Sequence, residues 1–160
     1  MRGDITDTVY DLGCGTGMLA VGAKLLGAEK VIGFDSDIRA LRIARHNARK
    51  FDIEIEFVCC DISDVTGCAH TALMNPPFGA QSRGMDRPFL SKALELCDVV
   101  YTIHNAGSRG FIEQFIRPSV ITDFSVLDFP IRRTFKFHKK DVEVIHVEMY
   151  KIESKKRDCY

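Results

Sequence analysis

The segment that most constrains this chain is Asp11-Leu12-Gly13-Cys14-Gly15-Thr16-Gly17. It follows a short apolar run, Thr8 to Leu12, and leads into helical apolar spacing from Gly17 to Leu26. Glycines at alternate positions between a strand and a helix permit a tight turn. They also let a ligand approach the backbone at the helix N-terminus. Such a turn predicts an open α/β sheet that binds its ligand at the carboxyl ends of the strands. The spacing argues against a dinucleotide fingerprint, G-x-G-x-x-G, which needs glycine where Met18 stands.

The rest of the chain continues the alternation. Strands are expected over 30–34, 53–58, 71–74, 99–103, 124–129 and 142–152, and helices over 38–51, 88–96 and 108–116. The helix over 38–51 places Leu41, Ala44, Ala48 and Phe51 on one face and Arg39, Arg42, Arg45 and Arg49 elsewhere. Strands that alternate with helices imply a parallel sheet, and the last two imply an antiparallel hairpin. The expected fold is therefore α/β: a doubly wound, seven-stranded, mostly parallel sheet ending in a C-terminal hairpin. One domain is expected over 1–152, with a flexible basic tail over 153–160 containing Lys155-Lys156-Arg157.

Composition adds boundaries. No apolar run reaches the ~20 residues that span a bilayer, and Met1-Arg2-Gly3-Asp4 is too charged for a signal peptide, so a cytoplasmic location is expected. The six cysteines include no C-x-x-C pair and no histidine at zinc-ligand spacing. They read as buried, reduced thiols, and no metal is expected. Lys plus Arg equals Asp plus Glu at 22 each, so a nucleic-acid partner requires a local basic patch.

Three carboxylates, Asp11, Asp35 and Asp61, are expected at successive strand ends. Asp35 stands 22 residues after Gly13, near the ~20 typical of a carboxylate that holds ribose hydroxyls. Asp37 reads instead as the cap of the helix beginning at Ile38. Asp61, with the Ile62 backbone, ends the third strand. The fourth strand breaks at Asn75-Pro76-Pro77-Phe78. The Asn75 side-chain carbonyl and the Pro76 backbone carbonyl can accept both N–H bonds of a planar amino group, localising charge on its nitrogen. The prolines preset those acceptors, and Phe78 offers a stacking face for a flipped or single-stranded base. This turn suits adenine N6, guanine N2 or a protein glutamine amide.

The motif D-L-G-C-G-T-G resembles the first motif of class I S-adenosylmethionine-dependent methyltransferases. Gly33-Phe34-Asp35-Ser36-Asp37, Asn75-Pro76-Pro77-Phe78-Gly79, Gly84-Met85-Asp86-Arg87-Pro88-Phe89-Leu90, Tyr101-Thr102-Ile103-His104 and Phe135-Lys136-Phe137-His138-Lys139-Lys140 follow in order. Together they resemble the small-subunit ribosomal RNA N6-adenosine methyltransferases of eukaryotes (methyltransferase-like protein five) and their archaeal relatives. The resemblance implies a Rossmann-like fold and an enzyme using S-adenosyl-L-methionine to make N6-methyladenosine in RNA. It puts cofactor contacts at Gly13, Thr16, Met18, Asp35, Asp61 and Ile62, to which the glycine loop adds Asp11, Gly15 and Gly17, and the catalytic turn at Asn75, Pro76, Pro77 and Phe78. It also implies an upstream segment closing over the cofactor, which this sequence lacks, so weak cofactor and RNA binding is expected of these 160 residues.

Two interaction surfaces are expected. From Pro130 to Lys140, basic residues interleave with phenylalanines and no acid intervenes, which suits phosphate contact with base stacking. The RNA-binding candidates are Arg132, Arg133, Lys136, Phe137, His138, Lys139 and Lys140. Ile53 to Cys60 is expected at a sheet edge, which invites another chain. The resemblance implies that a small zinc-binding activator protein docks there. Competing readings are a glutamine-amide or guanine-N2 methyltransferase, or a non-enzymatic RNA-binding remnant of the fold.

Overall fold

The computed structural model describes residues 2–76, 86–132 and 142–155. Strands β1 (Thr8–Leu12), β2 (Lys30–Asp35), β3 (Glu56–Cys59), β4 (Ala69–Met74), β5 (Cys97–Asn105), β6 (Val120–Arg132) and β7 (Val142–Glu153) form one sheet in the order β3-β2-β1-β4-β5-β7-β6. The first five are mutually parallel, while β7 runs antiparallel to both β5 and β6. This is the expected doubly wound sheet with its C-terminal hairpin.

Helices α1 (Met18–Leu25) and α2 (Ile38–Lys50) cover one face, while α3 (Asp86–Leu96) and α4 (Arg109–Phe115) cover the other. Ala20 and Ala23 of α1 pack with Val9, Val31, Leu73 and Tyr101. On the opposite face, Leu90, Ala93 and Ile112 pack with Leu12, Ala72, Val100 and Tyr150. No helix among the described residues is long and apolar enough to cross a membrane.

The chain moves outward from β1 through β2 to β3, then returns to place β4 on the other side of β1. That reversal opens the crevice where sheets of this kind bind ligands. Register sets its height: Leu12 pairs with Met74, so the glycine loop and Asn75 leave the sheet side by side.

Several expectations are corrected. The ladder of β3 begins at Glu56, not Ile53, because the Ile53 amide donates to the Ala48 carbonyl of α2 instead. The alternation there reflects burial without strand pairing. Phe51 is 50% exposed rather than on the buried face of α2, since it caps the helix and its backbone has left helical geometry. Cys14 and Cys97 are buried as expected, but Cys59 on the edge strand and Cys68 are exposed. Glu153 closes β7, while Ser154 donates to the Asp98 and Leu94 carbonyls, so these residues expected in the tail are tied to the fold. Residues 156–160 lie outside the described residues.

Gly17 shows why the loop needs its composition. Its φ is +76°, and a Cβ there would meet the Ala44 Cβ at 2.9 Å and the Phe57 ring at 3.1 Å. Gly17→Ala should therefore lose about 2–4 kcal/mol, combining left-handed strain with overpacking. At Gly15, also left-handed, a Cβ would meet nothing within 4 Å. Gly15→Ala should lose only about 1–2 kcal/mol. Urea denaturation of both variants compares them, and equal losses would remove the packing argument.

Candidate active site

A cavity of about 680 Å³ opens at the carboxyl ends of β1 to β4, lined by Gly13, Phe34, Asp35, Ser36, Cys60, Asp61, Ile62, Ser63, Asn75, Pro88 and Phe89. Its size suits a small-molecule cofactor. The loop is tied to β2, with the amides of Gly13 and Cys14 both donating to the Phe34 carbonyl at 2.9 Å. The Gly15 amide donates to Asp35 Oδ2 at 2.7 Å, and Asp35 Oδ1 accepts the Asp37 amide at 2.8 Å. Both Asp35 oxygens are thus fixed by backbone, leaving lone pairs for hydroxyl donors. Asp37 caps α2 through the Arg39 amide, as expected.

Asp61 Oδ1 accepts from the amide and hydroxyl of Ser63, capping a short 3-10 turn over Ile62–Asp64. The Ser63 amide, followed by its hydroxyl, lowers the Asp61 carboxyl below its ordinary range. This residue is therefore anionic at the rim. Phe89, on the first turn of α3, lies against Gly13: a Cβ on that glycine would stand 2.9 Å from the Phe89 ring.

Asp11 lies beneath the loop and is 1% exposed. Its Oδ2 accepts the Ala20 amide at 2.9 Å, whereas Oδ1 is buried without a hydrogen-bond partner among the described residues. Burial raises this carboxyl to about 7, opposed by the Ala20 amide and aided by the neighbouring Asp35 carboxylate. An unpartnered buried carboxylate oxygen is costly. A cationic ligand group would satisfy it, so the residues present fit a cofactor carrying an ammonium.

Gly13, Asp35, Asp61 and Ile62 line the cavity together, with Asn75 exposed at its rim. Pro76 is buried. Asp11, Gly15 and Gly17 are not among the lining residues. Thr16 and Met18 do not line this cavity. The Asn47 side chain holds the Thr16 carbonyl at 3.0 Å, and Met18 faces a separate apolar hollow with Leu73 and Tyr101. Pro77, Phe78 and the RNA-binding candidates Arg133, Lys136, Phe137, His138, Lys139 and Lys140 lie outside the described residues. Arg132 ends β6, paired with Val142.

Sequence reading missed Phe34, Ser36, Cys60 and Ser63, whose positions beside Asp35 and Asp61 were the available signal. It also gave no role to the wall formed by Pro88 and Phe89. A polar cluster lies nearby on β5 and β7. His104 Nδ1 stands 3.5 Å from Asp86 Oδ2, and Nε2 is 2.7 Å from the Thr102 hydroxyl. These partners assign the neutral ring's proton to Nδ1. Glu148 accepts the amides of Gly107 and Ser108 and the hydroxyl of Tyr150.

Burial lowers the His104 pKa, opposed by Asp86 and Glu148. Below the ordinary histidine value of ~6.5 the unfolded chain takes up this proton first. Stability contributed by neutral His104 is therefore present above that value and lost as pH falls through the folded one. Urea midpoints should drop less between pH 7.5 and 5.5 in His104→Gln than in the parent. An equal drop would remove His104 from the acid response.

Comparison with known proteins gives the site a context. Residues 2–70 match the family model described as "Ribosomal protein L11 methyltransferase (PrmA)". That match covers the glycine loop and the three carboxylates but stops before Asn75. An uncharacterized protein of Methanocaldococcus jannaschii is 40% identical over 161 residues, covering 92% of this chain and 74% of the relative. The rRNA N(6)-adenosine-methyltransferase METTL5 of Danio rerio is 35% identical over 153 residues, covering 88% of this chain and 72% of the relative. A crystal structure of a Pyrococcus horikoshii protein, provisionally assigned as an RNA methyltransferase, superposes with a TM-score of 0.86 at 40% identity. It covers 95% of this chain and 77% of that one.

Proposed function

The chain belongs to the family of rRNA N6-adenosine methyltransferases, and from that membership we propose that it methylates N6 of an adenosine in small-subunit ribosomal RNA. The observation that carries the proposal is the placement of Asn75. It leaves β4 beside the glycine loop and shares one cavity with Gly13, Asp35 and Asp61.

The cofactor is S-adenosylmethionine, which supplies a sulfonium methyl group. Asp11 would hold its ammonium, Asp35 its ribose hydroxyls, and Asp61 with Ile62 its adenine, against the apolar wall of Phe34 and Phe89. Asn75 and Pro76 would accept the two N–H bonds of the target amino group. That draws electron density onto the nitrogen as it becomes the nucleophile. Pro77 would fix the turn and Phe78 would stack on the target base. No general base is needed before attack, since the proton can leave after transfer.

Arg132, Arg133, Lys136, Phe137, His138, Lys139 and Lys140 are proposed to contact the RNA. The edge position of β3 supports the further proposal that a small zinc-binding activator protein pairs with it. A cytoplasmic location accompanies a ribosomal substrate.

Incubation with labelled S-adenosylmethionine and small ribosomal subunits, followed by nucleoside analysis, tests the reading. Labelled N6-methyladenosine is expected. N2-methylguanosine, label on protein, or no label would each overturn it.

A further inference from the structure

Building on the reading that the substrate is RNA, we infer that the solvent face of α2 is a second RNA-binding surface, a cationic ridge that grips the phosphodiester backbone. Helix α2 contains Arg39, Arg42, Arg45, Arg49 and Lys50 and no acidic residue, although acids and bases balance at 22 each over the chain. Leu41, Ala44 and Ala48 are its buried side. At roughly 100° per residue, Arg39, Arg42, His46, Arg49 and Lys50 fall on the opposite side, and all are exposed. At ~1.5 Å per residue the helix is about 20 Å long.

Little of this charge is neutralised within the protein. Arg45 is turned aside, donating to the Phe57 carbonyl at 3.0 Å. Arg39 meets only the capping Asp37, at 3.4 Å, and remains 85% exposed. Arg42, Arg49 and Lys50 have no carboxylate partner among the described residues.

For folding alone the arrangement is unfavourable. Arg39 with Arg42, Arg42 with Arg45, and Arg45 with Arg49 stand at spacings where like charges destabilise a helix. The first turn carries arginine where the helix dipole favours an anion. A merely solvated face would mix signs, whereas a polyanion neutralises the entire ridge. Arginine outnumbers lysine four to one, which suits bidentate contact with phosphate. A protein interface would want an apolar centre, whereas the exposed apolar side chains of α2 and its cap, Ile38, Ile43 and Phe51, are interspersed among five cationic ones.

Position supports the assignment. The ridge starts just beyond Asp35 and Ser36, which line the cavity. It lies toward the β3 edge, across the sheet from the β6–β7 hairpin. RNA presenting an adenosine at Asn75 can cross the cavity rim and continue along α2.

The test uses the full chain and protein-free small-subunit ribosomal RNA. Arg42→Glu, Arg49→Glu and Lys50→Glu are combined, since all three sites are exposed. RNA affinity should fall at least tenfold at 0.1 M salt, and the slope of log K against log [salt] should flatten by roughly two to three. Cofactor affinity by calorimetry should stay within twofold, and the methylation defect should appear in KM rather than kcat. Exchanging Arg42 and Arg49 for lysine should preserve the salt slope, separating charge from folding.

Unchanged RNA affinity and slope in the glutamate variant would overturn the ridge. So would equal competition by poly-glutamate of matched charge, which would point to an acidic protein instead. Failure of the ridge leaves adenosine methylation by the parent intact. If the parent binds RNA through the ridge but makes no N6-methyladenosine, the ridge stands and the functional reading falls.

Discussion

Asn75→Ala should reduce kcat for adenosine methylation by about 10²–10³-fold while leaving cofactor affinity unchanged. Asn75 is exposed at the cavity rim, and its side chain has no hydrogen-bond partner among the described residues. Its removal should therefore cost little stability. The lost interaction strengthens during reaction, as the nitrogen gains positive charge and its N–H bonds polarise, so the effect belongs in kcat. Single-turnover transfer of label at saturating RNA measures it. A reduction smaller than fivefold, with N6-methyladenosine still formed, would remove Asn75 from the chemistry.

Asp11→Asn should weaken S-adenosylmethionine binding by about 2 kcal/mol, roughly 30-fold, at pH 8. The parent needs Asp11 ionised to meet an ammonium, and burial raises this carboxyl to about 7. The sign follows directly. Below that value the free protein holds the proton and must release it to bind, so parent affinity should fall about tenfold from pH 8 to pH 6. Asp11→Asn cannot titrate there, and its affinity should be flat over the same range. Calorimetry at both pH values checks the pair. A parent affinity constant between pH 6 and 8 would show that Asp11 Oδ1 does not face the ligand's charge.

Much of the architecture was legible because it is written in local periodicity. β1 matched its expected bounds at both ends. The order of strands and helices followed from alternating apolar runs, and Asp37 was readable as a cap from its place before Ile38. Boundaries failed where local pattern and hydrogen bonding diverge. Ile53 to Ile55 alternate like a strand, yet the Ile53 amide goes to α2. Strand β6 starts at Val120 rather than Phe124 because pairing with β7 extends it beyond the apolar segment.

The site divided in the same way. Gly13, Asp35, Asp61 and Asn75 were recognisable because each stands at a strand end, where backbone geometry brings ligand-facing groups together. Thr16 and Met18 stand outside the cavity lining, because motif spacing does not show which way a residue turns once the helix starts. Phe89 was unreadable because its part depends on α3 bringing it against a glycine 76 positions away.

The sequence by itself determined the order of elements, the glycine turn and the identity of the groups at the strand ends, because those depend on neighbours a few residues apart. Only the tertiary structure decided that Asn75 stands beside the loop at the height of Leu12 and Met74, and that Asp11 keeps one oxygen unpartnered. It alone showed Arg42 and Arg49 of α2 without a carboxylate partner among the described residues. Register, burial and desolvation arise from contacts between distant segments, and no short window of the chain contains both halves of such a contact.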